Sequence, residues 1–183
     1  MSDRQLLKAA RRGNLAMARD ALAAGAVLEC RDLNQMTPLM LAAQGAHGEV
    51  FAALVEAGGD LRATALGQTD LLECAAEGGD VGIIQLLLEK GLAIEGQWQP
   101  RSQAEKRLGH LTPLLMAAIN GHVEAVQILL KAGANRKAEF DGQTAAQFMA
   151  AGIGNPNGDK EAALGARYAA IGELLQEKGT SGA

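Results

Sequence analysis

The feature that most constrains this chain is a phrase that it contains twice. Residues 111–135 read LTPLLMAAINGHVEAVQILLKAGAN, and residues 36–60 read MTPLMLAAQGAHGEVFAALVEAGGD. Both copies run from a threonine and a proline through two alanines and a histidine to an apolar stretch and a glycine. Such internal repetition is typical of a chain built from stacked copies of one small structural unit.

Each copy is predicted to fold as two short helices. A threonine hydroxyl accepts a hydrogen bond from the free amides of a first helical turn, and a proline is tolerated at the next position. Apolar residues recur at helical spacing in the second half, where a glycine in the left-handed conformation ends the second helix. One helix pair exposes too much apolar surface to be stable alone, so the units must stack. The small residues that let first helices approach are Ala9-Ala10, Ala42-Ala43, Ala75-Ala76 and Ala117-Ala118.

The starts of successive units are marked by four threonines, which are Thr37, Thr69, Thr112 and Thr144. The first and last of their spacings are equal, and the middle one is the longest. We interpret this longest spacing as one regular period plus ten extra residues. One extra residue is assigned to the pair Gly78-Gly79, and nine to the segment between Gly91 and Thr112.

The number of units follows from the glycines that close them. These glycines indicate five units in one domain that spans residues 1–179, and they are Gly25, Gly58, Gly91, Gly133 and Gly179. The units are expected at about 1–33, 34–65, 66–95, 109–140 and 141–179, with an inserted loop at 96–108 and a flexible tail at 180–183.

These units resemble ankyrin repeats, whose pattern is T-P-L-H-x-A-A-x-x-G-H, then a helix rich in valine and leucine, then G-A-D/N. The resemblance covers nearly the whole chain and is strongest in the fourth unit. It implies an all-α solenoid of about five stacked helix-turn-helix units, with His47 and His122 as structural residues of the G-H slot. It also implies that the first helices line a concave surface on which a partner protein binds.

The chain departs from this pattern at three places. The histidine of T-P-L-H, which in the family bonds between repeats, is replaced by Met40, Leu72 and Leu115. Asp70 takes the place of the proline in the third unit. The fifth unit has about fourteen extra residues between its helices.

Composition narrows the function further. A formal net charge of −4 argues against sequence-independent binding of nucleic acid. No apolar run approaches the length of a membrane span. The two cysteines, Cys30 and Cys74, are too few and too far apart for a disulfide framework or a thiolate zinc site. These features predict a monomeric cytoplasmic protein without a cofactor.

Catalytic residues are not expected either. His110 is the histidine that the repeat pattern leaves unassigned, and we interpret it as an exposed turn residue. Cys74 occupies a small-residue slot and is expected to be buried. The glycine-rich stretch at 152–158 lacks the lysine and hydroxyl residue that end a phosphate-binding loop. The alternative is an enzyme or small-molecule binder that uses His110 and the loop at 95–110.

The concave side is expected to change in charge from unit to unit. Residues 1–20 carry a net charge of +3, and residues 49–95 carry −7. Positions four and eight after each threonine lie one turn apart on the same helix face. Asp70, Glu73 and Glu77 then form an acidic row, which either attracts a basic partner or is simply solvated. The pairs expected on this face are Lys8 and Arg12, Leu41 and Gly45, Glu73 and Glu77, Met116 and Asn120, and Phe148 and Gly152.

The inserted loop carries Trp98, the only tryptophan of the chain, three residues before Arg101. Tryptophan and arginine are enriched among the residues that contribute most to protein–protein binding. Trp98 is therefore a candidate anchor, and it fits a local role of covering Leu111 or Met116 equally well. Phe140, in the next connection, is a second candidate with local packing as its alternative.

The sequence thus predicts a non-catalytic module that binds another protein through its concave helix face and loop tips. A variant of this hypothesis is an inhibitor or immunity-type protein that neutralises a partner encoded nearby. The candidate contact residues are Lys8, Arg11, Arg12, Glu73, Glu77, Trp98, Arg101, Leu111, Met116, Asn120 and Phe140.

Overall fold

The structure, a computed structural model, describes residues 2–150 and 162–176. The predictions for the stretch 152–158, for Gly152 and Gly179, and for the tail at 180–183 lie outside these residues. The first three units contain α1 (Ser2–Arg12), α2 (Leu15–Ala23), α3 (Pro38–Gln44), α4 (Gly48–Glu56), α5 (Leu71–Gly78) and α6 (Val81–Glu89). These are followed by α7 (Gln103–Leu108), α8 (Pro113–Ile119), α9 (Val123–Lys131), α10 (Ala145–Ala150) and α11 (Ala162–Gln176). A 3₁₀ turn at Leu66–Gln68 and an antiparallel hairpin of β1 (Glu139–Phe140) and β2 (Gln143–Thr144) complete the described elements.

The helices form two rows. The first helices of the units, α1, α3, α5, α8 and α10, contact one another in that order, and the second helices, α2, α4, α6, α9 and α11, form the other row. Helix α7 belongs to the inserted segment. Because each helix pair packs on the next pair along the chain, the arrangement confirms the predicted all-α solenoid. None of the helices in the described ranges has both the length and the apolar character that crossing a bilayer requires.

The predicted pairs of small residues bring the first helices together. All eight alanines of these pairs are fully buried. Second helices contribute larger buried side chains one turn apart, such as Val50 and Leu54 in α4 and Ile83 and Leu87 in α6. Since an alanine side chain adds little volume between two backbones, neighbouring first helices lie close, and the larger residues fill the space between the rows.

The structure corrects the predicted register of the third unit. Thr37 caps α3 and Thr112 caps α8, each by accepting a hydrogen bond from the third amide of its helix. The residue that caps α5 in the same way is Asp70, and Thr69 precedes it. Asp70 therefore takes the place of the threonine, and the expectation that it replaces the proline is wrong.

The turn inside each unit shows the same register. One residue there has a positive φ in four successive units: Gly13, Ala46, Gly79 and Gly121. Gly79 thus occupies a regular position of the repeat, and the extra residue predicted at Gly78-Gly79 is wrong. The step from the cap of α5 to that of α8 exceeds the step from the cap of α3 to that of α5 by nine residues. All nine lie in the connection after Gly91.

Gly78 marks a close approach between α5 and α3. A Cβ at this position would collide with the carbonyl oxygen of Ala43 and would lie 2.7 Å from that of Gln44. We therefore expect Gly78→Ala to lower the free energy of unfolding by about 1–3 kcal/mol, the usual cost of overpacking, as measured by urea titration. Gly165→Ala, which places the new methyl group in open space on α11, is the matched control and should stabilise slightly. An unchanged unfolding midpoint for Gly78→Ala would contradict the close approach.

Candidate functional site

The inserted segment is attached to the units on both sides of it. At its start, the Gln68 side chain donates to the Gln99 carbonyl at 2.9 Å and accepts from the Gln99 amide at 3.2 Å. At its end, the Asp141 amide donates to the Leu108 carbonyl at 2.6 Å. The insert is thus held between the 3₁₀ turn of the preceding connection and the β-hairpin of the following one.

A cleft of about 230 Å³ lies between these connections. Gly109 lies where the insert meets the hairpin. A glycine is required there, because the φ of this residue is +75° and a Cβ would collide with the Glu139 carbonyl. Four candidate residues from the sequence, Glu73, Trp98, Leu111 and Phe140, line this one cavity. The full lining is Gly67, Thr69, Glu73, Trp98, Gly109, His110, Leu111 and Phe140.

The rings of Trp98 and His110 are stacked on each other in the lining of the cleft. Their ring centroids are 4.8 Å apart, and the angle between the ring planes is 13°. Nε2 of His110 lies 2.8 Å from the carbonyl oxygen of Glu95, which assigns the proton to this nitrogen, because a carbonyl oxygen only accepts. His110 is half-buried, so its interpretation as an exposed turn residue is wrong. It is also the local packing partner of Trp98, which the sequence did not indicate.

Asp70 and Glu73 form a capping box at the start of α5. The Asp70 side chain accepts from the Glu73 amide at 3.0 Å, and Oε2 of Glu73 accepts from the Asp70 amide at 2.9 Å. Both side chains are buried, with 1% and 4% of their surface exposed. The expected exposed row that includes Glu73 and Glu77 is therefore wrong. Glu73 instead occupies the buried position that Met40 and Leu115 fill in neighbouring units.

Each of these carboxylates keeps one oxygen outside the capping box. Oδ2 of Asp70 is buried and has no hydrogen-bond partner, although the Gln97 amide lies near enough to favour the charged form. Oε1 of Glu73 lies 3.8 Å from Nε2 of His110, and the Glu73 side chain lines the cleft. A Cβ on Gly96 would lie 2.7 Å from Oε1 and 3.5 Å from Oδ2. The insert therefore has a glycine where its backbone passes the two acids.

Burial of two adjacent acids changes their protonation. Desolvation, and after it the neighbouring charge of Asp70, raises the pKa of Glu73 to about 8. The pKa of Asp70 is also raised. Desolvation is the largest cause, and it outweighs the lowering effect of nearby backbone amides and of the His110 charge. Glu73 is therefore largely protonated at neutral pH, and the two acids avoid carrying two full charges side by side.

Three of the four basic candidates lie on α1, in the first unit. Lys8 and Arg12 are exposed. Arg11 is also exposed, and its guanidinium forms a salt bridge of 2.6 Å with Asp32 of the first connection. The Arg11 side chain is 61% exposed, so its guanidinium remains accessible to solvent beside Asp32.

The other candidates are spread along the first helices and the insert. Glu77 is half-exposed and accepts a hydrogen bond of 2.9 Å from Gln44, the equivalent residue of the preceding unit. The Asn120 side chain donates to the Met116 carbonyl at 2.8 Å and so helps to end its own helix. Arg101 is exposed. The structure thus gathers four of the eleven candidates at the cleft and leaves seven outside it.

Two histidines link neighbouring units by the same bond. Nε2 of His47 lies 3.2 Å from the carbonyl oxygen of Arg11, and Nε2 of His122 lies 2.8 Å from that of Glu77. Arg11 and Glu77 occupy equivalent positions near the ends of their helices. These bonds confirm the structural role expected for the histidines of the G-H slot.

Two stretches of the chain match family models. Residues 6–98 match a model of three ankyrin repeats, and residues 109–139 match a model of one ankyrin repeat. The chain belongs to the ankyrin repeat family. Ankyrin repeats are protein-interaction modules, which places the chain in that general class. Residues 99–108 fall between the two matches, so the insert is a departure of this chain from the ankyrin pattern.

A mouse (Mus musculus) protein, "Protein fem-1 homolog A-like", is similar to part of this chain. The two sequences are 35% identical over 106 residues. The matched segment covers 57% of this chain and 14% of the mouse protein. The chain thus corresponds to a small part of that protein's length, and the similarity is limited to that part.

The buried acids and their histidine neighbour were not expected from the sequence. A signal was present, because Asp70 and Glu73 have the D-x-x-E spacing of a capping box. Alignment of the units by their threonines concealed it, since Thr69 precedes the cap by one residue. The stacking of His110 on Trp98 has no sequence signature, because it depends on how the insert folds.

The raised pKa of Glu73 predicts that stability falls as the pH rises. Between about pH 4.5 and about pH 8 the folded chain holds a proton on Glu73 that the unfolded chain has lost. The contribution of protonated Glu73 is therefore full below this range and is lost as the pH passes through it. Glu73→Gln keeps the capping interaction without the charge. It should raise the free energy of unfolding at pH 8 by more than about 1 kcal/mol, measured by urea titration.

Glu77→Gln is the control for this substitution, because it removes a half-exposed acid one turn later on the same helix. It should change the free energy of unfolding by less than about 0.5 kcal/mol at the same pH. If the two substitutions have equal effects, the stability change does not come from burial of Glu73.

Proposed function

We propose that this chain binds a partner protein through its concave row of first helices and the adjoining loop tips, with the cleft at Trp98 near the centre of the interface. The insert carries this proposal: it lengthens one connection, is attached at both ends, and holds a half-exposed tryptophan beside a cavity. Lengthened loops on a rigid scaffold commonly carry function. Tryptophan is among the residues most enriched at the centres of protein interfaces.

Exposed leucines on the loop tips support the proposal. Leu33 is 96% exposed and Leu66 is 60% exposed. Each lies four positions before the cap of the next first helix, so the two occupy the same place in successive units. Since units stack side by side, equivalent loop positions are neighbours. A repeated exposed leucine, unlike a single scattered one, favours contact with another molecule.

The distribution of charge would orient such a partner. Residues 1–20 carry a net charge of +3 and include the exposed Lys8 and Arg12, whereas residues 49–95 carry −7. A partner with the opposite arrangement would be attracted in one orientation and repelled in the other. Charges of this kind affect association rate and specificity more than affinity.

The size of the cleft favours contact with a partner side chain over binding of a metabolite. Pockets that enclose drug-sized ligands usually have volumes of roughly 300–1,000 Å³. The cleft, at about 230 Å³, is smaller than these. This volume suits one large side chain, so the alternative of a small-molecule binder at the loop 95–110 is the less favoured one.

We further propose a cytoplasmic location. Cys30 is half-buried, Cys74 is buried, and neither forms a disulfide. Burial raises the pKa of the Cys74 thiol, which keeps this residue in its unreactive protonated form. Free thiols are the expected state in a reducing compartment.

Trp98→Ala tests the partner-binding proposal. With the purified chain as bait in a lysate of the source cells, the substitution should reduce capture of a specific partner at least about tenfold, because an interface anchor is lost. Mass spectrometry identifies the partner, and the affinity is then measured with purified components. Thermal unfolding of the variant should stay close to that of the wild type, since Trp98 is half-buried and lies outside both helix rows.

Val27→Ala is the matched control, because Val27 is an apolar residue that is 57% exposed in the first unit, far from the insert. It should leave capture unchanged. Equal capture by the two variants would remove the support for an interface at the cleft. A stability loss on the order of 3 kcal/mol in Trp98→Ala would instead make Trp98 a core residue.

A further inference from the structure

We propose that the cleft binds the side chain of an arginine or a lysine of the partner protein, with Glu73 as its anionic contact. This role rests on the proposed partner binding and adds the chemical class of residue that the cleft accepts. Three features support this proposal. They are the two buried acids without a neighbouring lysine or arginine, the position of the Glu73 oxygen outside the capping box, and the aromatic residues that line the cleft.

The two buried acids have no permanent cation beside them. Ionised side chains are rarely buried unless they are paired, and Glu73 avoids an unpaired charge at neutral pH by holding a proton. Between described residues the salt bridges are Arg11 with Asp32 and the 3.8 Å contact of His110 with Glu73. Among residues 2–150 and 162–176, no lysine or arginine side chain is within salt-bridge distance of Asp70 or Glu73. A positively charged group in the cleft would supply this interaction.

Glu73 presents an oxygen in the position that such a group requires. Its Oε2 is held by the Asp70 amide, so the carboxylate is oriented by the backbone of α5. Its Oε1 makes no hydrogen bond to another described residue, and the side chain lines the cleft. A guanidinium or an ammonium group carries only donors and would satisfy this oxygen. Oδ2 of Asp70, which is buried without a partner on the same side of Gly96, adds negative potential.

The other lining residues also favour a cationic side chain. Trp98 and Phe140 line the cleft, and aromatic rings attract cations through their π electrons. Leu111 provides an apolar contact for the methylene groups of a long basic side chain. A divalent metal ion fits less well, because the described residues contain no group of three or more His, Cys, Asp or Glu that could hold one.

Binding of a cation here should be coupled to loss of a proton. With a pKa of about 8, Glu73 is mostly protonated at neutral pH, and a positive charge beside it would lower that pKa. Affinity should therefore increase as the pH rises from neutral. The other titratable groups that face Glu73 are Asp70 and Cys74 on α5 and His110 at the end of the insert.

A pair of short peptides tests this proposal. The first has one arginine between glycines, an acetylated amino terminus and an amidated carboxyl terminus, and the second has citrulline, which keeps the shape without the charge. Trp98 is the only tryptophan, so its fluorescence reports binding at the cleft. We expect the arginine peptide to bind with a Kd of about 1 mM and the citrulline peptide at least about tenfold more weakly. The arginine peptide should bind more tightly at pH 8.5 than at pH 6.5.

Two variants locate the effect at Glu73. Glu73→Gln should abolish the preference for arginine over citrulline, and Glu77→Gln, which removes the same charge outside the cleft, should preserve it. Thermal unfolding verifies that both variants are folded, and the pH profile of the unsubstituted chain is an independent measurement. Equal affinities for the two peptides, no binding of the arginine peptide, or unchanged binding by Glu73→Gln would each overturn the proposal.

These outcomes separate the two proposals. If Trp98→Ala weakens partner capture while the arginine peptide fails to bind, the interface stands and the basic-side-chain assignment is overturned. If the arginine peptide binds as expected while Trp98→Ala leaves capture unchanged, the cleft accepts cations and the proposed interface is wrong.

Discussion

The close packing of the first helices is the interaction on which the rest of this structure depends. Pairs of alanines that are fully buried let neighbouring backbones approach, and at Gly78 the approach leaves no room even for a methyl group. Each unit is positioned by the one before it through these contacts, and the second and fourth units also through the histidine bonds. An irregular unit is therefore tolerated when its backbone keeps the shared shape, which the third unit does despite its different cap.

The third unit shows how one position can serve both the stack and a candidate site. The position that Met40 and Leu115 fill with apolar side chains is filled by Glu73, and all three are buried. An acid is tolerated there because one of its oxygens accepts a backbone hydrogen bond and because it is largely protonated at neutral pH. The Glu73 side chain also lines the cleft, so the residue that completes the helix cap is the one that we propose as the contact for a ligand.

The insert forms one side of this cleft in the connection between the third and fourth units. Lengthening a loop costs little free energy, and nine extra residues would not by themselves form a defined surface. Hydrogen bonds with the Gln68 side chain at one end and with the Asp141 amide at the other attach the segment to neighbouring connections. Trp98 is consequently held in a defined place without a partner, so less entropy would be lost in the interface that we propose.

Helix pairs and buried alanines were determined by the sequence itself, because caps, small-residue pairs and helical spacing are local patterns that do not depend on distant residues. The same patterns located the insert and identified Trp98 as a candidate. The structural role of the bridging histidines was implied by the resemblance to ankyrin repeats. The prediction from local patterns is wrong in the third unit. The threonine pattern assigns the helix cap to Thr69 in place of Asp70, so it does not predict the burial of Glu73. Only the tertiary structure decided that Trp98 stacks on His110 and that Glu73 opens to the cleft. Those contacts join segments far apart in the chain, and their geometry is set by the packing of neighbouring units rather than by the residues beside them in sequence.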